Sequence, residues 1–280
     1  MSHVSPIKDT RCHTKYPIML LHGVGFRDFK SLNYWGRIPK VLEEHGATIF
    51  YGMQDSWGTI KENALEIKEN IERIFKEHGY EKINLIAHSK GGLDARYLIS
   101  SLGMADKIAS LTTLATPHRG MKAIDAYSRV PDSLYKIAAA LVDISFRALG
   151  DRHPDFYNAT RGFSTLEAEH FNEQNPDDDN VYYQSYAAAM DRSFSDVFMF
   201  LPHLFVKRLE GENDGLVSVA SAQWTNFRGV LRGASKRGIS HFDVIDLRRS
   251  PFTRQVKPGY ISDITDFYVD IVSELKTMGF

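Results

Sequence analysis

Ile83-Asn84-Leu85-Ile86-Ala87-His88-Ser89-Lys90-Gly91-Gly92-Leu93 is the stretch whose reading decides the fold of this chain. Ile83 to Ala87 is a short apolar run bounded by a turn, the mark of a buried strand. Gly91 to Leu102 reads as a helix, stopped at Gly103. Between them, Ala87 and Gly91 place small residues two positions either side of Ser89. That spacing forces a sharp strand-to-helix turn with the serine in strained geometry at the sheet's carboxyl edge, because larger Cβ groups would clash there. By composition alone a chain of this length shows the pattern roughly one time in five. The strand directly before it and the helix directly after it supply the context it requires.

Outward from this turn the first half alternates strand and helix. Tyr16 to Leu21 is an apolar run ending at His22-Gly23, and Ala47 to Tyr51 is a second short β-rich run. Thr59 to His78 has Ile60, Ala64, Ile67, Ile71, Ile74 and Phe75 on one helical face, a capping box from Thr59 and Glu62, and Gly79 after its end. Ile108 to Ala115 is another buried strand. Parallel strands need such crossovers, and apolar runs without alternation suit a sheet covered on both faces. Val181 to Tyr186 and His203 to Leu209 read as further strands. Asp263 to Met278 is a helix with Ile264, Phe267, Tyr268, Ile271, Val272 and Leu275 in one stripe. The fold class is α/β, with residues 1–280 as a single domain.

A formal net charge of -1 over 280 residues, 43% hydrophobic and 25% charged, argues against a nucleic-acid partner. Cys12 is the only cysteine, so no intrachain disulfide, thiolate zinc site or iron–sulfur cluster is expected. No run reaches the about eighteen apolar residues of a membrane span. Met1 to Lys15 lack the apolar core of a signal peptide. As written the chain is expected in the cytoplasm, and a trimmed signal would leave the same picture of a secreted protein.

A serine at such a turn needs a base, and the base needs an orienting carboxylate, in the chain order serine, acid, histidine. His241 is the one histidine beyond residue 203, in the loop-like Gly238-Ile239-Ser240-His241-Phe242. Asp214, in Glu212-Asn213-Asp214-Gly215, follows the run His203 to Leu209 and is the candidate acid. Asn-Asp-Gly is also strong turn chemistry, and Glu210 and Glu212 are the alternatives. In the loop Leu21-His22-Gly23-Val24-Gly25 and the residue after Ser89, the main-chain N–H groups of Val24 and Lys90 are the candidate oxyanion donors.

At these residues the chain resembles the bacterial true lipases of the α/β-hydrolase superfamily, from about Ile18 to Asp246. The blocks that carry the resemblance are His22-Gly23-Val24, Asn84 through Gly92, Ala115-Thr116-Pro117-His118-Arg119-Gly120, Asn213 through Val217 and His241-Phe242-Asp243, with Phe163-Ser164-Thr165 through Phe171-Asn172. The resemblance implies an α/β-hydrolase fold, hydrolysis of long-chain esters through an acyl-enzyme, and a helical lid inserted at about 121–162. It also implies a structural calcium, held through an acid two residues after the histidine and an upstream aspartate. Asp243 fits the first place and Asp191 or Asp196 the second. Where a further glutamine or acid is expected downstream, the chain offers Asp246 and Leu247. No organic cofactor is implied.

Leu134 to Leu149 carries apolar residues over more than one narrow face, and is either a core helix or the lid. Val197 to Leu201 is either a buried strand or a wall of the acyl cleft. The residues therefore point to a lipase or carboxylesterase acting on a small-molecule or lipid ester, in solution or at a lipid–water interface. Phospholipase, thioesterase and polyester hydrolase use the same machinery. A non-catalytic lipid-binding module would normally lack one of Ser89, Asp214 and His241.

Overall fold

The apolar runs pair side by side. β1 (Ile18–Leu21), β2 (Ile49–Tyr51), β3 (Ile83–His88), β4 (Ile108–Leu114), β5 (Tyr182–Ala188) and β6 (Phe227–Leu231) form a six-stranded sheet in the order β2-β1-β3-β4-β5-β6. Every neighbouring pair is parallel. The structure is a computed structural model and describes residues 9–25, 33–127, 132–255 and 257–280.

The crossovers are helical: α1 (Ile38–Glu44), α2 (Ile60–His78), α3 (Lys90–Ile99), α4 (Lys122–Tyr127), α5 (Asp132–Ala148), α6 (Phe156–Arg161) and α7 (Thr165–Gln174). They are followed by α8 (Phe200–Glu210), α9 (Val219–Ala222) and α10 (Ile264–Thr277). Period-two side-chain geometry divides each strand between two cores. Ile18 and Leu20 of β1 face the layer of α1 and α10, packing with Ile38, Leu42, Tyr268 and Val272. Met19 and Leu21 face the layer of α2 and α3, packing with Ala64, Ile67, Ile71 and Leu98. Burial on both sides is why these strands show no polar alternation.

Local signals behave as their chemistry requires. Thr59 accepts from the Glu62 N–H while the Glu62 carboxylate accepts from the Thr59 N–H, so α2 opens on a full capping box. Gly79 closes it in the left-handed region at φ 75. Asp263 caps α10 and also receives Arg37, whose guanidinium reaches Asp246 as well, so one arginine ties the start of α1 to the start of α10.

Two elements depart from the sequence expectations. His203 to Leu209 is not a strand but most of α8. Pro202 in the first turn suits a helix start, Lys207 and Arg208 favour its negative C-terminal end, and the buried His203 and Val206 are three apart, on one helical face. β6 was not expected at all; only its Leu231 is fully buried, so it lacks the apolar run that marks the inner strands. Val197 to Leu201 is no buried strand either, since Val197, Phe198 and Leu201 lie exposed ahead of and within the first turn of α8. No helix among the described residues is long and apolar enough to cross a membrane.

Candidate active site

Ser89 sits between β3 and α3 with φ 53 and ψ -129, a conformation that costs about 1–3 kcal/mol and persists only where the surroundings enforce it. The Ser89 N–H donates to the Leu114 carbonyl of β4, and the Ser89 carbonyl accepts from Gly92. The small residues round the turn are obligatory by close approach. A Cβ on Gly91 would stand 2.5 Å from the Leu21 carbonyl oxygen. A Cβ on Gly23 would stand 2.8 Å from the Ser89 Cβ. The loop after β1 thus lies directly against the serine.

In that loop the Gly23 N–H is taken by the Tyr34 hydroxyl at 3.0 Å, and the same hydroxyl meets His88 Nδ1 at 2.8 Å. Tyr34 therefore orders the loop on one side of Ser89 and the residue preceding Ser89 on the other. The next amide along is that of Val24. On the facing side Lys90 is the first residue of α3, where a helix N–H lacks an intrahelical partner. The Lys90 side chain points away, into a fully buried pair with Asp94 at 2.7 Å that Asn63 of α2 supports. Burial pulls its ammonium down from the usual range. Only the Lys90 main chain faces the serine's surroundings.

Asp214 and His241 meet as the chain order suggests. His241 Nδ1 lies 2.7 Å from Asp214 Oδ2, with both residues buried, and the His241 N–H donates to the Asp214 carbonyl. The other carboxylate oxygen, Oδ1, accepts from the N–H groups of Leu216 and Val217. Those donors hold the acid in one orientation, so the imidazole is held too. Because α8 replaces the expected strand, Asp214 reaches the sheet edge from the loop between α8 and α9 rather than from a strand end. The His241 ring lies 4.4 Å, centroid to centroid, from that of His88, the neighbour of Ser89. Of the alternative acids, Glu210 accepts from Ser218 and from the Lys122 N–H, and Glu212 pairs with Arg232. Neither is bonded to His241.

Two further histidines of the motif blocks, His88 and His118, are buried. His88 is fully buried, which together with the nearby His241 holds its pKa well below the usual value. His118 stacks on Trp224 and bonds Thr113 Oγ1; burial, then the Arg96 and Arg119 cations, depress it likewise.

Of the carboxylates expected to hold calcium, Asp243 and Asp246 lie beside cations of the chain itself. Asp243 is buried, but its Oδ2 accepts from the Ser240 N–H and from Arg237 Nη2 at 3.2 Å, and its Oδ1 lies 2.8 Å from Arg248 Nε. Burial pushes its carboxyl up, against the pull of the Ser240 N–H and Arg237. Asp196 accepts from Ser240 Oγ through Oδ2 and from the Phe198 and Met199 N–H groups through Oδ1. Asp191 is exposed, and downstream Asp246 is held by Arg37. Among the described residues no group of three or more His, Cys, Asp or Glu is arranged to hold a metal. Asp243 Oδ2 and Asp196 Oδ1 are taken by guanidinium and main-chain donors and Asp196 Oδ2 by the Ser240 hydroxyl, while Asp243 Oδ1 accepts no hydrogen bond and lies against the Arg248 cation.

Sequence reading missed Tyr34, Arg237 and Arg248. Each acts on a partner set by the fold, and none stands in a spacing that announces a role.

A model of the palmitoyl protein thioesterase family matches residues 17–193, more than half of the chain. The chain belongs to this family. The match includes Ser89 and ends before Asp214 and His241. Over longer stretches the chain is similar to triacylglycerol lipase 2 of Saccharomyces cerevisiae, at 29% identity over 91% of this chain and 77% of that protein. It is similar also to a triacylglycerol lipase of Pseudomonas fragi, at 26% identity over 97% and 99%. In fold it matches the crystal structure of Staphylococcus hyicus lipase, with a TM-score of 0.67 over 95% of this chain and 97% of that one. A metagenomic carboxyl esterase gives 0.70 over 94% and 76%. Both structures are 17% identical to this chain and speak to the fold alone. The chain is a triacylglycerol lipase-like α/β-hydrolase, an enzyme of the lipase and esterase kind.

Proposed function

We propose that this enzyme hydrolyses carboxylic esters of acyl chains through an acyl-enzyme on Ser89. The observation that carries the reading is the buried Asp214–His241 hydrogen bond at 2.7 Å, with its imidazole packed on the residue before Ser89. Nδ1 is committed to Asp214, which leaves Nε2 as the base. Ser89 Oγ attacks the ester carbon as its proton passes to His241 Nε2, and the carbonyl oxygen becomes an oxyanion between the Val24 and Lys90 N–H groups. Collapse breaks the ester C–O bond, and the leaving alkoxide takes the proton from His241. Water then attacks the acyl-enzyme, giving its proton to His241, and the acid departs as Ser89 Oγ recovers that proton. The donors favour reaction because the charge they stabilise develops in the transition states and the tetrahedral intermediate between them, not in the bound ester.

Substrates are lipid or small-molecule esters, met in solution or at a lipid–water surface. A second reading, thioester hydrolysis by the same residues, is favoured by the family matched at residues 17–193. One experiment tests both: p-nitrophenyl esters from short to long chain, with and without emulsion, beside an acyl thioester of equal chain length. Ser89→Ala should stay folded and lose about three or more orders of magnitude of turnover. A serine-directed phosphonate should label Ser89 alone. Near-parent turnover by folded Ser89→Ala ends the proposal, and preference for the thioester at equal chain length moves it to the second reading.

A further inference from the structure

The His241 loop runs over two buried carboxylates. Asp196 and Asp243 both bond Ser240, one through its Oγ and the other through its N–H. Two acids turned toward one serine, in a loop that carries a catalytic base, repel one another and favour loosening of the loop unless a cation lies between or beside them. The structure supplies cations from the chain itself.

Arg237 precedes His241 in the chain, and its Nη2 donates to Asp243 Oδ2. Arg248 follows His241 in the chain. Its Nε is 2.8 Å from Oδ1, a contact of charge without a hydrogen bond, and its Nη2 donates to the Ser195 carbonyl, next to Asp196. Arg248 therefore joins the Asp243 carboxylate to the main chain beside Asp196. The Asp243 side chain is 0% exposed while those of Arg237 and Arg248 are 21% and 39% exposed. The anion is sealed in, and its counterions enter from the surface. A guanidinium stays charged at any working pH and presents a planar fork of donors, so it can hold a carboxylate in one orientation.

We propose that Arg237 and Arg248 do for the His241 loop what a bound divalent cation would do: by clamping Asp243 they position His241 for proton transfer, with no metal required. They are positioning residues, since their contacts are to Asp243 and Ser195 rather than to the reacting atoms. The proposal rests on His241 as the base.

The test uses the full chain with EDTA or calcium chloride, reading melting temperature together with kcat and KM for a soluble short-chain ester. Parent melting and kcat should be the same in chelator and in calcium. Arg248→Ala should lower kcat about tenfold or more, as small misplacements of a catalytic group do, while KM moves less than twofold. Arg248→Lys should restore part of the loss. In an Asp243→Asn background, Arg248→Ala should add little, because the two changes act through one contact. A fall in melting temperature or kcat on chelation, reversed by calcium, overturns the proposal in favour of a metal. So does an Arg248→Ala variant that melts lower with an unchanged kcat, which makes the arginine merely structural. The chelation arm reads melting and needs no turnover. It still decides between arginine and metal if Ser89→Ala proves as active as the parent and the reading of the base fails.

Discussion

Gly23 shows how a single missing Cβ positions chemistry. Its amide is held by Tyr34, and a methyl group there would meet Ser89 Cβ at 2.8 Å and Tyr34 Oη at 2.9 Å. Gly23→Ala must push the loop off the serine, carrying the Val24 amide with it. Losing one oxyanion donor costs about a hundredfold or more in kcat, and the overpacking itself about 1–3 kcal/mol of stability. Steady-state kinetics on a soluble ester, with a urea melt alongside, checks both; a kcat near the parent value would remove this loop from the oxyanion site. At this scale much was legible. Chain order pointed to His241 and to an acid among Glu210, Glu212 and Asp214, and the structure pairs His241 with Asp214. Tyr34 and the two arginines on Asp243 were not legible. Their partners are set by packing between distant or irregular segments, and an isolated tyrosine or arginine has no periodicity to read.

Glu66 joins helix α2 to the chain segment that follows α5. One carboxylate oxygen accepts from the Asp55 N–H, and the other pairs with Arg152 Nε at 3.0 Å. Burial, reinforced by the neighbouring Asp55 and opposed by Arg152 and His153, raises its pKa from 4.5 to about 7. The sign follows from proton binding. Between these two values the folded chain holds a proton that the unfolded chain has released, so the contribution is complete below the lower value and lost by the upper one. Stability should fall with rising pH across that window by up to about 1.4 kcal/mol per unit from this group. Glu66→Gln cannot titrate, so its stability relative to the parent should climb from pH about 5 to about 7. Urea unfolding at the two values measures it, and a difference that stays flat would show that Glu66 does not titrate there. Elements were legible in proportion to their burial. Strands covered on both faces and the capped helix α2 announce themselves, whereas β6 is half-exposed and carries Gly229. In α8 the cluster Leu204-Phe205-Val206 looks like a strand until Pro202 and the flanking charges are weighed with it.

The whole molecule keeps its candidate nucleophile and base covered, Ser89 at 7% and His241 at 4% exposure, while leaving large apolar side chains outside. On α5, Leu141 and Ile144 are 64% and 63% exposed, Leu149 just past its end is 58% exposed, and beside α8 Val197 and Phe198 are 85% and 76% exposed. Residues 128–131, between α4 and α5, and the side chains of Leu134, Ile137 and Ala138 lie outside the described residues. The sequence marked this segment by its surplus of apolar residues, and the outward face carries part of that surplus. Water favours keeping such a surface small, and an oil surface rewards burying it at about 25 cal/mol per Å². If α5 is the lid, binding to a droplet through Leu141 and Ile144 favours whichever arrangement admits the ester, and the open population rises there. The parent's rate on a sparingly soluble short-chain ester should then climb more steeply above the solubility limit than below it. Leu141→Gln/Ile144→Gln should keep kcat/KM for the dissolved ester and lose that climb, since each apolar side chain withheld from oil weakens adsorption by about 1.5–3 kcal/mol. Rate against ester concentration, taken through the limit for both proteins, decides the matter. A parent curve with no change of slope, or a double variant that climbs as the parent does, would make α5 an ordinary surface helix and the enzyme an esterase of dissolved substrates.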